Sequence, residues 1–397
     1  MLYTSPNTNL NNILGTSPED IDTSKNGSDR VLLMAIIGLM IFGVMAVYSS
    51  IASFAVEEGN TPFGLAFRHL VKVGIAFVVM LITSKINYHT LAKLSHVGMV
   101  ISWILLVAVL AFGITRHGAT RWLSLGGIEF QPSSVASIAL LIHISVLLSE
   151  KQAYIKDLKK AFLPIMFWVL ITCGLIGIED FSSAAILLML SLIVMFIGRI
   201  STIQLGTMVI IGALGAFLLI QQSPNRMSRI QSYIDQVQHI ESSEIIRTHE
   251  GFQAQQAHIA IAQGGLTGVG IGKSTQRAFL PASYNDFIFA VITEEYGLLG
   301  ASALLMVFVL ILFRGIAVIA RHAEDIMGTL LAVSCSLTIV IFGFVNAGVA
   351  SGILPVTGLP MPFISYGGTS MLFAGIMMGI LLNISKHRKD RKAVFYA

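Results

Sequence analysis

The chain has 397 residues, of which 55% are hydrophobic and 12% charged, and its formal net charge is +4. A soluble domain carries about twice that share of charged residues, so the composition excludes a water-soluble enzyme and indicates an integral membrane protein. The positive excess first reports orientation in a membrane protein, and no nucleic-acid partner is expected.

In chain order, residues 1–29 are polar and rich in Asn, Ser, Thr and Asp, which predicts a disordered cytosolic tail and no cleavable signal peptide. A helix needs about 20 apolar residues to cross the hydrocarbon layer. Runs of that order begin near Val31, Leu70, Val97, Pro132, Ala161, Ser182, Ile203, Phe287, Ile326 and Phe363, which predicts ten spans in a membrane domain over 30–385. The expected fold class is all-α, a polytopic bundle of about ten transmembrane helices. A basic cytosolic tail is expected over 386–397.

Basic residues set the orientation. With a cytosolic N-terminus, the short inside segments hold Lys85, Lys93, Lys151, Lys156, Lys159, Lys160, Arg199, Arg314 and Arg321, whereas the short outside loops hold Arg68, Arg116 and Arg121. Both termini are therefore expected in the cytosol. The one long connection, 221–286 between the seventh and eighth spans, is expected outside, where a loop of that size is more often functional than idle. Within it, Phe252–Ala262 is amphipathic and predicts a helix lying along the interface.

Asp286 stands where that loop enters the eighth span. An ionisable group there is costly unless it faces protein or water, so it is the first functional candidate. Glu294 and Glu295 follow about two turns deeper on the same helix and read as structural pairs before catalysts. Arg68 and Lys72 are four apart and share a helical face; they either snorkel to the interface or meet a diphosphate. Arg121 and Trp122 either anchor at the interface or grip a sugar or phosphate.

The cluster Gly264–Ser274 lacks the spacing and the flanking strand of a nucleotide-binding loop. It reads as a flexible turn, or as a loop presenting backbone N–H groups and Lys273 to an anionic headgroup. The ten histidines show no metal-ligand spacing, and Cys173 and Cys335 lie in apolar runs as core residues. Between Gly352 and Ser370, Pro355, Pro360, Pro362, Gly367 and Gly368 break helix repeatedly. Non-helical backbone at membrane depth must be buried in protein or line a cavity, so this segment is expected to form a re-entrant wall.

Three stretches carry a resemblance: Phe279–Ala290 with Glu294-Glu295-Tyr296-Gly297; Pro355–Ser370; and Gly118–Leu123 with Phe130-Gln131-Pro132-Ser133. They resemble the SEDS (shape, elongation, division and sporulation) family of bacterial peptidoglycan polymerases, its FtsW type more than its RodA type, over about Asp29 to Lys386. The resemblance implies a glycosyltransferase that joins lipid II units at the outer face of the cytoplasmic membrane, with Asp286 as the catalytic acid. It implies substrate contacts from Arg68, Lys72, Arg121, Trp122, Gln131, Lys273, Gln276 and Ser365, with Glu294, Glu295, Pro360, Pro362, Gly367 and Gly368 in supporting places. A single inverting displacement needs one base, where a retaining glycosidase needs a carboxylate pair. Implied partners are a class B penicillin-binding transpeptidase and other division-complex membrane proteins, at the division septum.

No metal site and no cofactor is specified, and a divalent cation such as Mg2+ at the diphosphate stays open. The chain departs from the family where Gln-Pro-Ser-Glu-x-x-Lys is usual, because Ser134 and Ser137 replace the acid and the base. A lipid II flippase and a non-catalytic division scaffold remain as alternatives, and a division role is not separated from an elongation role.

Overall fold

The computed structural model describes residues 28–57, 61–116, 119–125, 128–238, 249–280 and 284–387. The tails expected over 1–27 and 388–397 lie outside the described residues. In order, the helices are α1 (Arg30–Glu57), α2 (Pro62–Thr83), α3 (Tyr88–Lys93), α4 (Ser95–Phe112), α5 (Pro132–Glu150), α6 (Leu163–Glu179), α7 (Phe181–Ile197), α8 (Thr202–Gln221), α9 (Pro224–Gln238), α10 (His249–Gly264), α11 (Ile288–Phe313), α12 (Ile326–Ala350) and α13 (Thr369–Lys386). Among the described residues nine are long and apolar enough to cross a membrane, and α7, with 17 residues, is a shorter apolar helix in the expected sixth place. The chain is a multi-pass helical membrane protein.

Two boundaries differ from expectation for local reasons, and one element was not expected. The second span begins at Pro62 instead of Leu70, because the Thr61 hydroxyl accepts the Gly64 N–H at 3.1 Å and Pro62 opens the helix. The last begins at Thr369, because the segment before it stays non-helical. Between α4 and α5 lies a small antiparallel sheet, β1 (Ile114–Arg116), β2 (Ala119–Leu125) and β3 (Ile128–Phe130), which the all-α expectation did not include. Its register sets Thr115 against Thr120 and Leu123 against Phe130.

The frame is pinned at both ends of α1 and α11. At one end the Asp29 N–H donates to the Ser385 hydroxyl at 3.0 Å and the buried Asp29 carboxylate pairs with Arg314, so the two ends of the described chain share one face. At the other end the Ser49 hydroxyl donates to Glu295. Helix between 295 and 314 rises about 28 Å, close to the thickness of a hydrocarbon layer, about 30 Å.

α11 is interrupted at Gly297, with φ 70° and ψ −176°. A bare break would strand backbone groups in an apolar setting. Here the glycine cluster repairs it: Leu298 and Leu299 donate to the carbonyls of Gly265 and Leu266, while Val269 and Gly270 donate to those of Glu294 and Glu295. The approach is so close that a β-carbon on Gly268 would lie 2.2 Å from the Glu295 carbonyl oxygen. Over Gly268–Gly270 the cluster is therefore neither a flexible turn nor an open cradle for a headgroup, because those three amides are occupied. α10 packs on α11 and buries Ala254, Ala257 and Ala260.

Removing Arg314 would leave the Asp29 carboxylate buried without its cation. Arg314→Ala is expected to cost about 3 kcal/mol or more, read as a lowered thermal midpoint in detergent.

Candidate functional site

Asp286 lies in a turn over 284–287, and α11 starts only at Ile288. It is thus not on one continuous helix with Glu294 and Glu295, as the sequence suggested. Those two are buried pairs within the bundle. Glu294 accepts from the Ser274 hydroxyl, the Thr275 N–H at 2.9 Å and the Gln276 N–H at 3.4 Å, and Glu295 accepts from Ser49.

The backbone holds the turn. Asn346, a buried amide in the apolar helix α12, donates from Nδ2 to the carbonyls of both Asp286 and Leu359, each at 2.9 Å. The Ser365 hydroxyl donates to the Asn285 carbonyl and accepts the Met361 N–H, both at 2.7 Å. The Tyr366 N–H donates to the Tyr284 carbonyl at 2.8 Å. These bonds lock residues 284–286 to the non-helical segment between α12 and α13. Ser365, expected at the substrate, is committed to this clamp. Gly358 takes a φ of 70° beside the acid, and a β-carbon there would sit 3.5 Å from Asp286 Oδ2.

α2 supplies the charge on the other side. Lys72 places its ammonium 4.3 Å from the Tyr366 ring centroid, and Gly368 leaves room for its stem. The imidazole of His69 stacks on the same ring at 5.4 Å. Arg68 is exposed, so of the expected cationic pair only Lys72 meets the re-entrant segment.

A groove of about 760 Å³ of atom-free space, partly open, runs between α5, α7, α12 and α13 under Leu359, Pro360 and Pro362. Its lining is hydroxylic at Ser133, Ser134, Ser137, Ser183, Thr338 and Ser370, beside Gln131, and apolar at Ile138, Leu141, Leu187, Leu190, Ile339, Phe342, Phe373 and Met377. No lining side chain is charged. Ser137, where a base would stand in the resembled family, bonds back to the Ser133 carbonyl at 2.8 Å.

The other expected contacts stand apart. Arg121 lies 3.6 Å from the Asp180 carboxylate and donates to the Glu179 carbonyl; Gln131 and Ser183 also donate to Asp180, at 2.9 and 2.7 Å. This network ties the small sheet to the α6–α7 junction, with Trp122 half-buried in β2. Lys273 is exposed, and Gln276 is buried against Glu294 and Gln263. Burial pushes the His258 imidazole of α10 below its usual range, with a smaller opposing effect from its hydrogen bond with the Ser351 backbone. Among the described residues no group of three His, Cys, Asp or Glu is placed to hold a metal ion.

Residues 29–390 match the family model that groups FtsW, RodA and SpoVE and is described as cell cycle protein. The chain belongs to that family. Stage V sporulation protein E of Bacillus subtilis (strain 168) is 33% identical over 375 residues, covering 92% of this chain and 99% of the relative. A protein of the same organism named as a probable peptidoglycan glycosyltransferase FtsW is 32% identical over 385 residues, covering 92% and 93%. In three dimensions the fold is similar to a chain solved in a study of a peptidoglycan synthase complex that coordinates polymerization and crosslinking, with a TM-score of 0.72 at 22% identity over 90% of this chain and 97% of that one.

Asn346, Tyr284, Tyr366, His69 and Asp180 were not singled out from the sequence. Asn346 carried a usable signal, a lone amide within an apolar span. Asn346→Leu strands two buried carbonyls and is expected to cost about 2 kcal/mol or more, checked by thermal unfolding in detergent.

Proposed function

We propose that the chain is a peptidoglycan glycosyltransferase that polymerises lipid II at the outer face of the bacterial cytoplasmic membrane. The observation that carries this reading is one carboxylate, Asp286, whose backbone is fixed to the re-entrant segment that also roofs a neutral groove and meets the Lys72 ammonium at Tyr366. Family membership supports it, as does the enzymatic name of the FtsW relative.

In this mechanism Asp286 accepts the proton of the incoming sugar hydroxyl as that oxygen bonds to C1 of the growing chain. The bond from C1 to the diphosphate breaks, and the diphosphate leaves with the electron pair. One base and one displacement invert the configuration at C1. General-base catalysis contributes about 10²- to 10⁴-fold, and Lys72 stabilises the charge gathering on the leaving group. The groove takes the hydrocarbon of the carrier, with Gln131, Pro360 and Pro362 as part of its wall. Arg121 and Gln276 are engaged with Asp180, Glu179, Glu294 and Gln263, while Arg68 and Lys273 are exposed and Trp122 half-buried, and this reading gives all five a peripheral part in holding substrate. A divalent cation such as Mg2+, held mostly by the substrate's own phosphates, fits a site with a single carboxylate.

Sidedness follows from the basic residues: both termini in the cytosol and Asp286 outside. The proposed partner is a crosslinking transpeptidase of the class B penicillin-binding type, supported by the likeness to the synthase-complex chain. Cell division at the septum, with other division-complex membrane proteins, is the proposed setting; the name of the sporulation relative makes a role in sporulation the competing one.

Purified protein with labelled lipid II is expected to give glycan chains on a gel. Asp286→Ala and Asp286→Asn should each lower the rate about 100-fold or more while the protein stays folded. Undiminished chains from Asp286→Ala would refute the assignment, and leaflet exchange in liposomes without chains would replace it with a flippase. Chelation by EDTA is expected to slow polymerisation, and added Mg2+ to restore it.

A further inference from the structure

His69 is fully buried in α2, and neither of its ring nitrogens meets a hydrogen-bond partner. No polar bond therefore fixes the side chain; its ring packing does. The imidazole stacks on Tyr366 with centroids 5.4 Å apart and planes 28° from parallel. Lys72, three residues on and a neighbour on the helix surface, sets its ammonium 4.3 Å from the centroid of that ring. Tyr284 meets Tyr366 edge-on at 5.6 Å and 88°, and both tyrosines lean on Val47, Ile51 and Leu65. The Tyr366 amide is bonded to the Tyr284 carbonyl, two residues before Asp286.

Tyr366 is thus one plate shared by the cation and by the segment that carries the acid. A lysine has four rotatable bonds and no fixed direction of its own; resting on an aromatic face restricts it. That face points where its neighbours hold it, and His69 is the neighbour stacked on it.

We infer that His69 is a positioning residue: it orients Tyr366, and through Tyr366 it sets where the Lys72 ammonium meets the leaving diphosphate. This inference rests on the glycosyltransferase reading above. His69 touches no reacting atom in it. Its contribution passes entirely through Lys72.

The test is kcat/KM for polymerisation of labelled lipid II by the full chain, with His69→Ala, His69→Leu, His69→Phe, Lys72→Ala and the double variant His69→Ala/Lys72→Ala, each with its thermal midpoint. Misplacing a charge-stabilising group is costly, so His69→Ala and His69→Leu are each expected to lose about 10-fold or more. His69→Leu fills the volume, which keeps the test valid if His69→Ala does not fold. His69→Phe restores the stacking face and is expected to recover most of the loss. The double variant is expected to be no worse than Lys72→Ala, because two residues acting through one ammonium are not additive. Losses that multiply in the double variant, undiminished activity of His69→Leu, or no recovery in His69→Phe would each overturn the inference alone. Absence of chains from the wild-type protein would overturn the glycosyltransferase reading and this inference with it.

Discussion

The carboxamide of Asn346, bonded to the carbonyls of Asp286 and Leu359, is the interaction on which the site depends. Backbone that is not helical has to find partners when it lies within a membrane bundle, and the segment between α12 and α13 is non-helical from Ser351 to Gly368. Asn346 joins that segment to the turn before α11; Ser365 and the Tyr284–Tyr366 pair extend the junction by two further bonds. Every one of these bonds reaches the backbone of residues 284–286. The backbone that carries the acid is therefore held by partners from α12 and from the re-entrant segment.

That junction is precise only if its support is rigid. α11 provides the support because its interruption at Gly297 is filled by the backbone of Gly265–Gly270. Buried carboxylates then fasten the repaired helix on two sides: Glu294 to the loop at Ser274 and Thr275, and Glu295 to α1 at Ser49. The Asp29–Arg314 pair closes the far end. Glu294 and Glu295, expected as structural pairs before catalysts, brace the element that follows the acid.

The spans were legible because hydropathy over about 20 residues is a long-range signal that one polar residue does not erase. Asp286 and the proline- and glycine-broken segment were legible for the converse reason, since each is anomalous where it stands. What escaped were features whose meaning lies in a distant partner. Gln131 and Arg121 were expected at the substrate, but their hold on Asp180 was not legible, since Gln131 and Asp180 are 49 positions apart. Arg68 and Lys72 share a face by spacing, but spacing does not say where the edge of that face falls; the structure puts Arg68 outside it. The small sheet was readable in the alternation of Ile114–Arg116 and Thr120–Leu125, yet each strand is too short to compete with the apolar runs on either side.

The replacement of an expected acid and base by Ser134 and Ser137 bears on how charge is divided across the site. On the proposed reading the groove takes the carrier's hydrocarbon, but its uncharged lining offers a diphosphate no counter-charge, and burying an anion unpaired is prohibitive. The proposal therefore keeps the headgroup out of the groove and on the side of Asp286 and Lys72. A charged pair on α5 would have offered a second anion site and weakened that separation. With Ser137 bonded back to its own helix, the cation on α2 becomes the one described cation at the re-entrant wall, and whatever orients it governs the leaving group.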